Sequence, residues 1–266
     1  MARLGASEPS STGKTVFGVV LILAALGILA GIGYVYFMES RTPGLTEDLC
    51  PADGPSEHLV ILVDTTDPVT RTQLQLAHQR IDKEIQDVPV GTRLSFSTVN
   101  PDLHIRQSAF TSLCKPPSGD EVSEFSRNPR MVQEQYEKDF RKPVDDALAR
   151  LLAVPEAPSS PIMESLQEFA SSIPGFTTTE SPRKVVLMSD LIQHSAAFSF
   201  YRGGSWRSFS DAEGPKRFGT AFINAEITIL RIPRNVEMHA IVDDFWVRYL
   251  SQQGFKKTEI TLLGDL

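Results

Sequence analysis

Residues Thr15 to Met38 read TVFGVVLILAALGILAGIGYVYFM, and no charged side chain interrupts them. In hydrocarbon every backbone N–H and C=O must find its partner within the protein, so a lone run of this kind is restricted to a helix. Roughly 20 apolar residues suffice to cross a bilayer in that form. The run exceeds a usual signal-peptide core and no A-x-A-like cleavage site follows it, so the expectation is an uncleaved transmembrane anchor over residues 15–38. Tyr34, Tyr36 and Phe37 stand at its far end, where aromatic rings suit the interface, and Gly27 and Gly31 form a G-x-x-x-G that favours close helix pairing. Arg3 and Lys14 precede the run, whereas Arg41 follows it among Glu39, Glu47 and Asp48. Positive-inside counting then makes residues 1–14 a cytoplasmic tail and puts everything after about residue 39 outside the cytoplasm. The only two cysteines, Cys50 and Cys114, are there free to oxidise.

Charge narrows the partners. Lys and Arg total 26 against 33 Asp and Glu, a net charge of -7, and no basic stripe offsets it, so the phosphates of a nucleic acid would be repelled. The hexapeptide SSTGKT at residues 10–15 ends like a phosphate-binding loop, but Glu8 stands where that motif needs its first glycine.

Beyond the anchor, ESRTPGLTEDLCPADGPSE is rich in proline, glycine and charge, and reads as a linker over residues 39–57. A folded domain is expected over residues 58–266. HLVILV, RLSFSTV, HIRQSAFTSL, RKVVLMSD, AEITILRIP and TEITLLG have the short apolar character of strands, the second and third joined by a turn at NPDL. TRTQLQLAHQRIDKEIQ places Leu74, Ala77, Ile81 and Ile85 at helical spacing, and IVDDFWVRYLSQQG stops at Gly254 as helices often do. MVQEQYEKDFRKPVDDALARLLA is helical with an interruption at Pro143, and SPIMESLQEFASSI starts a helix with a serine cap and Pro161 at its first position. Strands alternating with helices give an α/β fold with a doubly wound, mostly parallel sheet.

Two of the apolar strands end in aspartate, Asp64 in ILVDTTDP and Asp190 in LMSD. Ligands of such sheets sit beyond the carboxyl ends of the strands, where side chains are expected to face solvent. Two carboxylates meeting there need a cation or hydrogen-bond donors between them. Thr66 adds a hydroxyl, and Ser159 or Ser160 another from the loop before PIMESL, a set of oxygens suited to Mg²⁺. The competing reading is that both aspartates merely cap helices.

The order of elements and these residues resemble the von Willebrand factor A domain across nearly all of His58 to Leu266, in the form of its membrane-anchored bacterial members. That family's metal-ion-dependent adhesion site is D-x-S-x-S after the first strand, a threonine in a later loop and an aspartate after the fourth strand. Asp64 and Thr66 match the first two positions, Ser159 or Ser160 replaces the threonine, and Asp190 matches the last. Pro68 stands where the second serine belongs, which removes a hydroxyl ligand. The resemblance implies a single-pass protein of the bacterial inner membrane whose extracytoplasmic, von Willebrand factor A-like domain binds a protein partner in the cell envelope, with Mg²⁺ as the implied ion. A haloacid dehalogenase-like, Mg²⁺-dependent phosphohydrolase with Asp64 as nucleophile is the alternative, although Thr66 stands where that family usually has a second aspartate. No complete acid–base pair can be assembled, so no catalytic residue is assigned, and His194 is read as a polar loop residue.

The stretch AAFSFYRGGSWRSF follows the second aspartate and mixes Phe198, Tyr201 and Trp206 with Arg202, a composition typical of partner-binding surfaces. In the sheet so drawn, the strand ending near Leu113 runs antiparallel, which brings Cys114 to the edge where the chain enters and predicts a disulfide with Cys50. The aspartates lie at the opposite edge and are expected to face away from the membrane.

Overall fold

The computed structural model describes residues 11–39, 44–122, 127–234 and 239–264. The chain divides into two compact units, Met1–Gly44 and Leu45–Leu266. The first contains helix α1, Ser11–Glu39. Within it Val16–Tyr34 has a mean hydropathy of 2.7 and none of it is buried, so it is long and apolar enough to span a membrane, a property that signal sequences share. Arg3 and Arg41, like the side chains of Lys14, Tyr36, Phe37 and Glu39, lie outside the described residues.

The second unit is a six-stranded sheet with helices on both faces. In chain order it comprises β1 (His58–Asp64), α2 (Arg71–Asp87), β2 (Arg93–Val99), α3 (Leu103–Ala109), β3 (Thr111–Cys114), α4 (Pro129–Tyr136), α5 (Lys142–Leu152) and α6 (Ile162–Ser172). It continues with β4 (Arg183–Ser189), α7 (Trp206–Asp211), α8 (Gly214–Arg217), β5 (Glu226–Arg231), α9 (His239–Gln253) and β6 (Lys257–Leu262). The strands lie side by side in the order β3-β2-β1-β4-β5-β6, and only β3 runs antiparallel.

Strand β1 is central and buried along its whole length, which is why its sequence is apolar without alternation. Leu59, Ile61 and Val63 pack on α2 and α5 on one face, while Val60 and Leu62 join the cluster of α6 and α9 on the other. From β1 the chain moves to β2 on one side, and β4 lies on the other, so the connections diverge between β1 and β4. Their carboxyl ends therefore flank the place where such sheets take ligands.

Three local expectations change. HIRQSAFTSL is not one strand: Leu103–Ala109 is helical and only Thr111–Cys114 pairs with β2. Asn100 accepts from the N–H of Asp102 at 2.9 Å, and Asp102 accepts from that of His104 at 2.8 Å, so NPDL starts a helix instead of closing a hairpin. Pro143 does not break its helix. The π turn Glu137–Arg141, in which the N–H of Lys142 reaches the carbonyl of Glu137, shifts the ladder just ahead of the ring that cannot donate to it. Pro161 is the residue before α6, not the first within it, and no serine caps that helix.

The compact unit also begins earlier than His58. The N–H of Cys114 donates to Asp48 at 2.8 Å, Leu45 bridges to Pro51, and Cys50 is buried. Cys50 and Cys114 form a disulfide, with Cα atoms 4.7 Å apart. Because Cys114 lies opposite Arg93, at the start of β2, the bridge sits at the amino edge of the parallel strands, as the antiparallel course of β3 requires.

Candidate functional site at the carboxyl edge of the sheet

The last residue of β1, Asp64, lies beside the end of β4, since the register pairs Val63 with Met188. Its Oδ1 accepts from the backbone N–H of Thr66 at 3.1 Å and from the Thr66 hydroxyl at 2.7 Å. Its Oδ2 accepts from the hydroxyls of Ser160 at 2.9 Å and Ser189 at 2.8 Å. Of the two serines singled out before α6, Ser160 reaches the carboxylate, and the half-buried Ser159 does not. Ser189 also accepts from the N–H of Leu191 at 2.9 Å, which ties the cluster to the turn after β4.

Neither aspartate faces solvent, contrary to the expectation from strand ends. Asp64 is 4% exposed and Asp190 5%. Connecting segments fold over the edge: Thr65 donates to the carbonyl of Val154 at 3.0 Å, Ala157 to that of Thr66 at 3.0 Å, and His194 to that of Ser160 at 2.8 Å. Burial disfavours the charged carboxylate and the neighbouring Asp190 disfavours it further. Together they push Asp64 up to about 6 against the pull of its hydroxyl donors. Burial likewise raises Asp67, with Asp190 adding to the effect.

Asp190 has a cation of its own. Its Oδ1 accepts from the N–H of Ile192 at 2.9 Å, and its Oδ2 takes the Arg234 Nε at 2.9 Å. The Nη1 of the same guanidinium donates to the carbonyl of Pro68 at 2.6 Å. Arg234 thus ties the segment after β5 to the turn after β1, across the point where the resemblance puts a metal ion. No sequence motif marks Arg234, because its role depends on a contact 44 residues away in the chain.

The donor set fits a resident divalent ion poorly. Among the described residues no group of three or more His, Cys, Asp and Glu side chains could hold a metal. Pro68 offers no hydroxyl, its carbonyl already accepts from Arg234, and that guanidinium supplies fixed positive charge where an ion would have to compete with it.

Gln193, fully buried, completes the edge and was not visible as a functional position. Its Oε1 accepts from the N–H of Met163 at 2.9 Å, so a side chain from the turn after β4 caps α6 from a distance. Its Nε2 donates to Glu164 at 2.9 Å, and Ser195 donates to the same carboxylate at 2.6 Å.

The aromatic stretch divides. Phe198 is not a surface residue: it is 6% exposed and stacks on Phe245 of α9, with centroids 4.6 Å apart. Phe200 and Phe209 are buried with it, and the half-buried Trp206 leans on Phe209 and Phe245. These rings complete the core beneath α9, where transfer from water outweighs any surface role. Tyr201, 55% exposed, and Arg202 remain outside. Tyr201 meets the His194 ring edge-on at 5.4 Å, and His194 Nδ1 lies 2.7 Å from the Ser199 hydroxyl.

No protein-family model matches the chain. No curated protein matches it either.

Proposed function

We propose that the chain is a membrane-tethered interaction module of the von Willebrand factor A type. In this reading α1 anchors it in a bacterial inner membrane, Leu45–Leu266 lies outside the cytoplasm, and the carboxyl edge of the sheet engages a protein partner of the envelope. The observation that carries this reading is the convergence of Asp64, Thr66, Ser160 and Asp190 on one cluster at the point where the sheet's connections diverge. The disulfide supports an oxidising compartment.

The same geometry favours a metal-free version of the site. Arg234 does what a cation would do in holding Asp190 against the turn after β1, and the hydroxyls of Thr66 and Ser160 spend their protons on Asp64. Contact with the partner then falls to the exposed rim, where Tyr201 and Arg202 stand. The phosphohydrolase reading draws less support. A nucleophile must reach its phosphorus, whereas both oxygens of Asp64 are buried and engaged by four donors.

A photo-crosslinker in place of Tyr201, activated in intact membranes, tests both parts. An adduct with an envelope protein is expected, equally strong with and without a chelator, and absent when the probe replaces the exposed Asp53 at the opposite edge. Loss of the adduct under chelation would restore the ion-dependent site, and no adduct at Tyr201 would end the proposal.

A further inference from the structure

The two edges of the sheet are treated differently. At β3 the segment around Asp48 lies against the outer strand and is held there by the disulfide. At β6 the outer side of the strand carries no partner among the described residues, and its side chains are exposed from Lys257 to Ile260. Ile260 is 53% exposed and Leu262 61%, unusual values for branched apolar residues on an edge strand that proteins ordinarily blunt. Beside them an apolar groove of about 290 Å³ runs between β6 and α9, with Ile229, Trp246, Val247, Leu250, Thr258 and Ile260 in its walls. The register places Ile260 beside Ile229 and Thr258 beside Ile227, so the exposed row of β6 continues the face on which α9 packs.

The charges around this edge choose among occupants. Arg231 pairs with Asp243 at 2.7 Å, Lys256 with Glu226 at 3.2 Å, and Lys257 with Glu259 at 2.8 Å. Every cation has its anion, so neither an acidic nor a basic partner is selected. An identical edge meets no excess of like charge.

We propose that β6 pairs with β6 of a second copy, antiparallel about a two-fold axis through Ile260 and perpendicular to the sheet. Such an axis keeps both α9 layers on the same face and extends the two sheets into one. Ile260 then opposes its own counterpart and Thr258 opposes Leu262, which closes the open sides of both grooves with apolar surface. Centring on Thr261 also stays apolar, setting Ile260 against Leu262, but two other registers are worse. Centring on Glu259 sets two carboxylates opposite each other, and centring on Thr258 puts Ile260 against Lys256 and Leu262 against Gly254, which is outside the strand. The inference stands apart from the carboxyl edge, and either can fail alone.

Full-length protein in detergent provides the test. Ile260→Cys should form a symmetric covalent dimer under mild oxidation, while Arg207→Cys, more accessible but on α7 and not on the edge strand, should not. The wild type should run at twice the chain mass, and Ile260→Lys should shift it to the chain mass with an unchanged circular dichroism spectrum. A wild type at the single-chain mass, a folded Ile260→Lys that stays dimeric, or Ile260→Cys cross-linking no faster than Arg207→Cys would each overturn the proposal. If Ile260→Lys fails to fold, the cysteine pair decides.

Discussion

Asp64 and His58 stand at the two ends of β1 and make stability depend on pH in opposite senses. Asp64 binds its proton more tightly in the folded protein, at about 6, than in the unfolded chain, at 3.8. Its contribution is therefore full below the lower value and is lost as pH rises through the upper one. His58 is driven down from 6.5 to about 4, by burial first and then by Arg93 and Arg183. Its contribution is full above 6.5 and is lost as pH falls toward 4. The two windows overlap, so they offset each other in the wild type. Asp64→Asn should uncover the His58 slope: relative to wild type it should gain stability between about pH 4 and 6, by at most about 3 kcal/mol. Urea unfolding across that range checks it, and a gain in the other direction would mean that Asp64 is held ionised. Asp64 and Asp190 could be read from the sequence because aspartate after an apolar run is a local pattern, with Thr66 following the first of them, whereas the sequence left Ser159 and Ser160 as alternatives and only the structure selects Ser160. Ser189 and Arg234 could not, since a hydroxyl at a strand end and an arginine in a loop become significant only through contacts far along the chain.

The start of α6 depends on a residue 30 positions away, since Gln193 accepts from the N–H of Met163. Gln193→Ala should leave that donor unpaired in a buried place and cost about 1–2 kcal/mol, the range of a lost cap. Thermal unfolding measures the loss, and faster hydrogen exchange at the Met163 amide should accompany it. A neutral result would mean that water replaces the side chain. Strands β1, β4 and β5 were legible because each is a short apolar run, and α2 because its buried Ala77, Ile81 and Ile85 recur at helical spacing. Its capping box was not among the expectations, and the structure shows Thr70 and Gln73 exchanging bonds of 3.2 and 3.0 Å. Helix α3 was not legible. Its few apolar residues set no period, none of its side chains is buried, and Asn-Pro-Asp serves a turn as readily as a cap. The end of α9 at Gly254 was legible for a steric reason: its φ is +90°, and a Cβ there would lie 2.9 Å from the Ile223 Cα.

At the scale of the whole molecule, the bridge between Cys50 and Cys114 closes a loop with a sequence separation of 64. Chain entropy alone makes such a closure worth about 4 kcal/mol. Replacing both cysteines with serine should therefore lower the stability of the Leu45–Leu266 unit by up to that amount, read as a lower urea midpoint for the full-length protein. No change would mean that the Asp48 contact holds the segment unaided. The boundary at His58 missed this segment because its proline and glycine resemble a linker, and only the partner of Cys50 shows that it belongs to the fold. The bridge also sets how many ways the sheet can grow. With β3 covered and β6 without a partner among the described residues, each copy has one mating edge, and assembly of the proposed kind is complete at a pair. Release the covering segment by reduction and each copy has two such edges, so the same strand chemistry that ends at a closed pair would instead permit a linear polymer without a natural length.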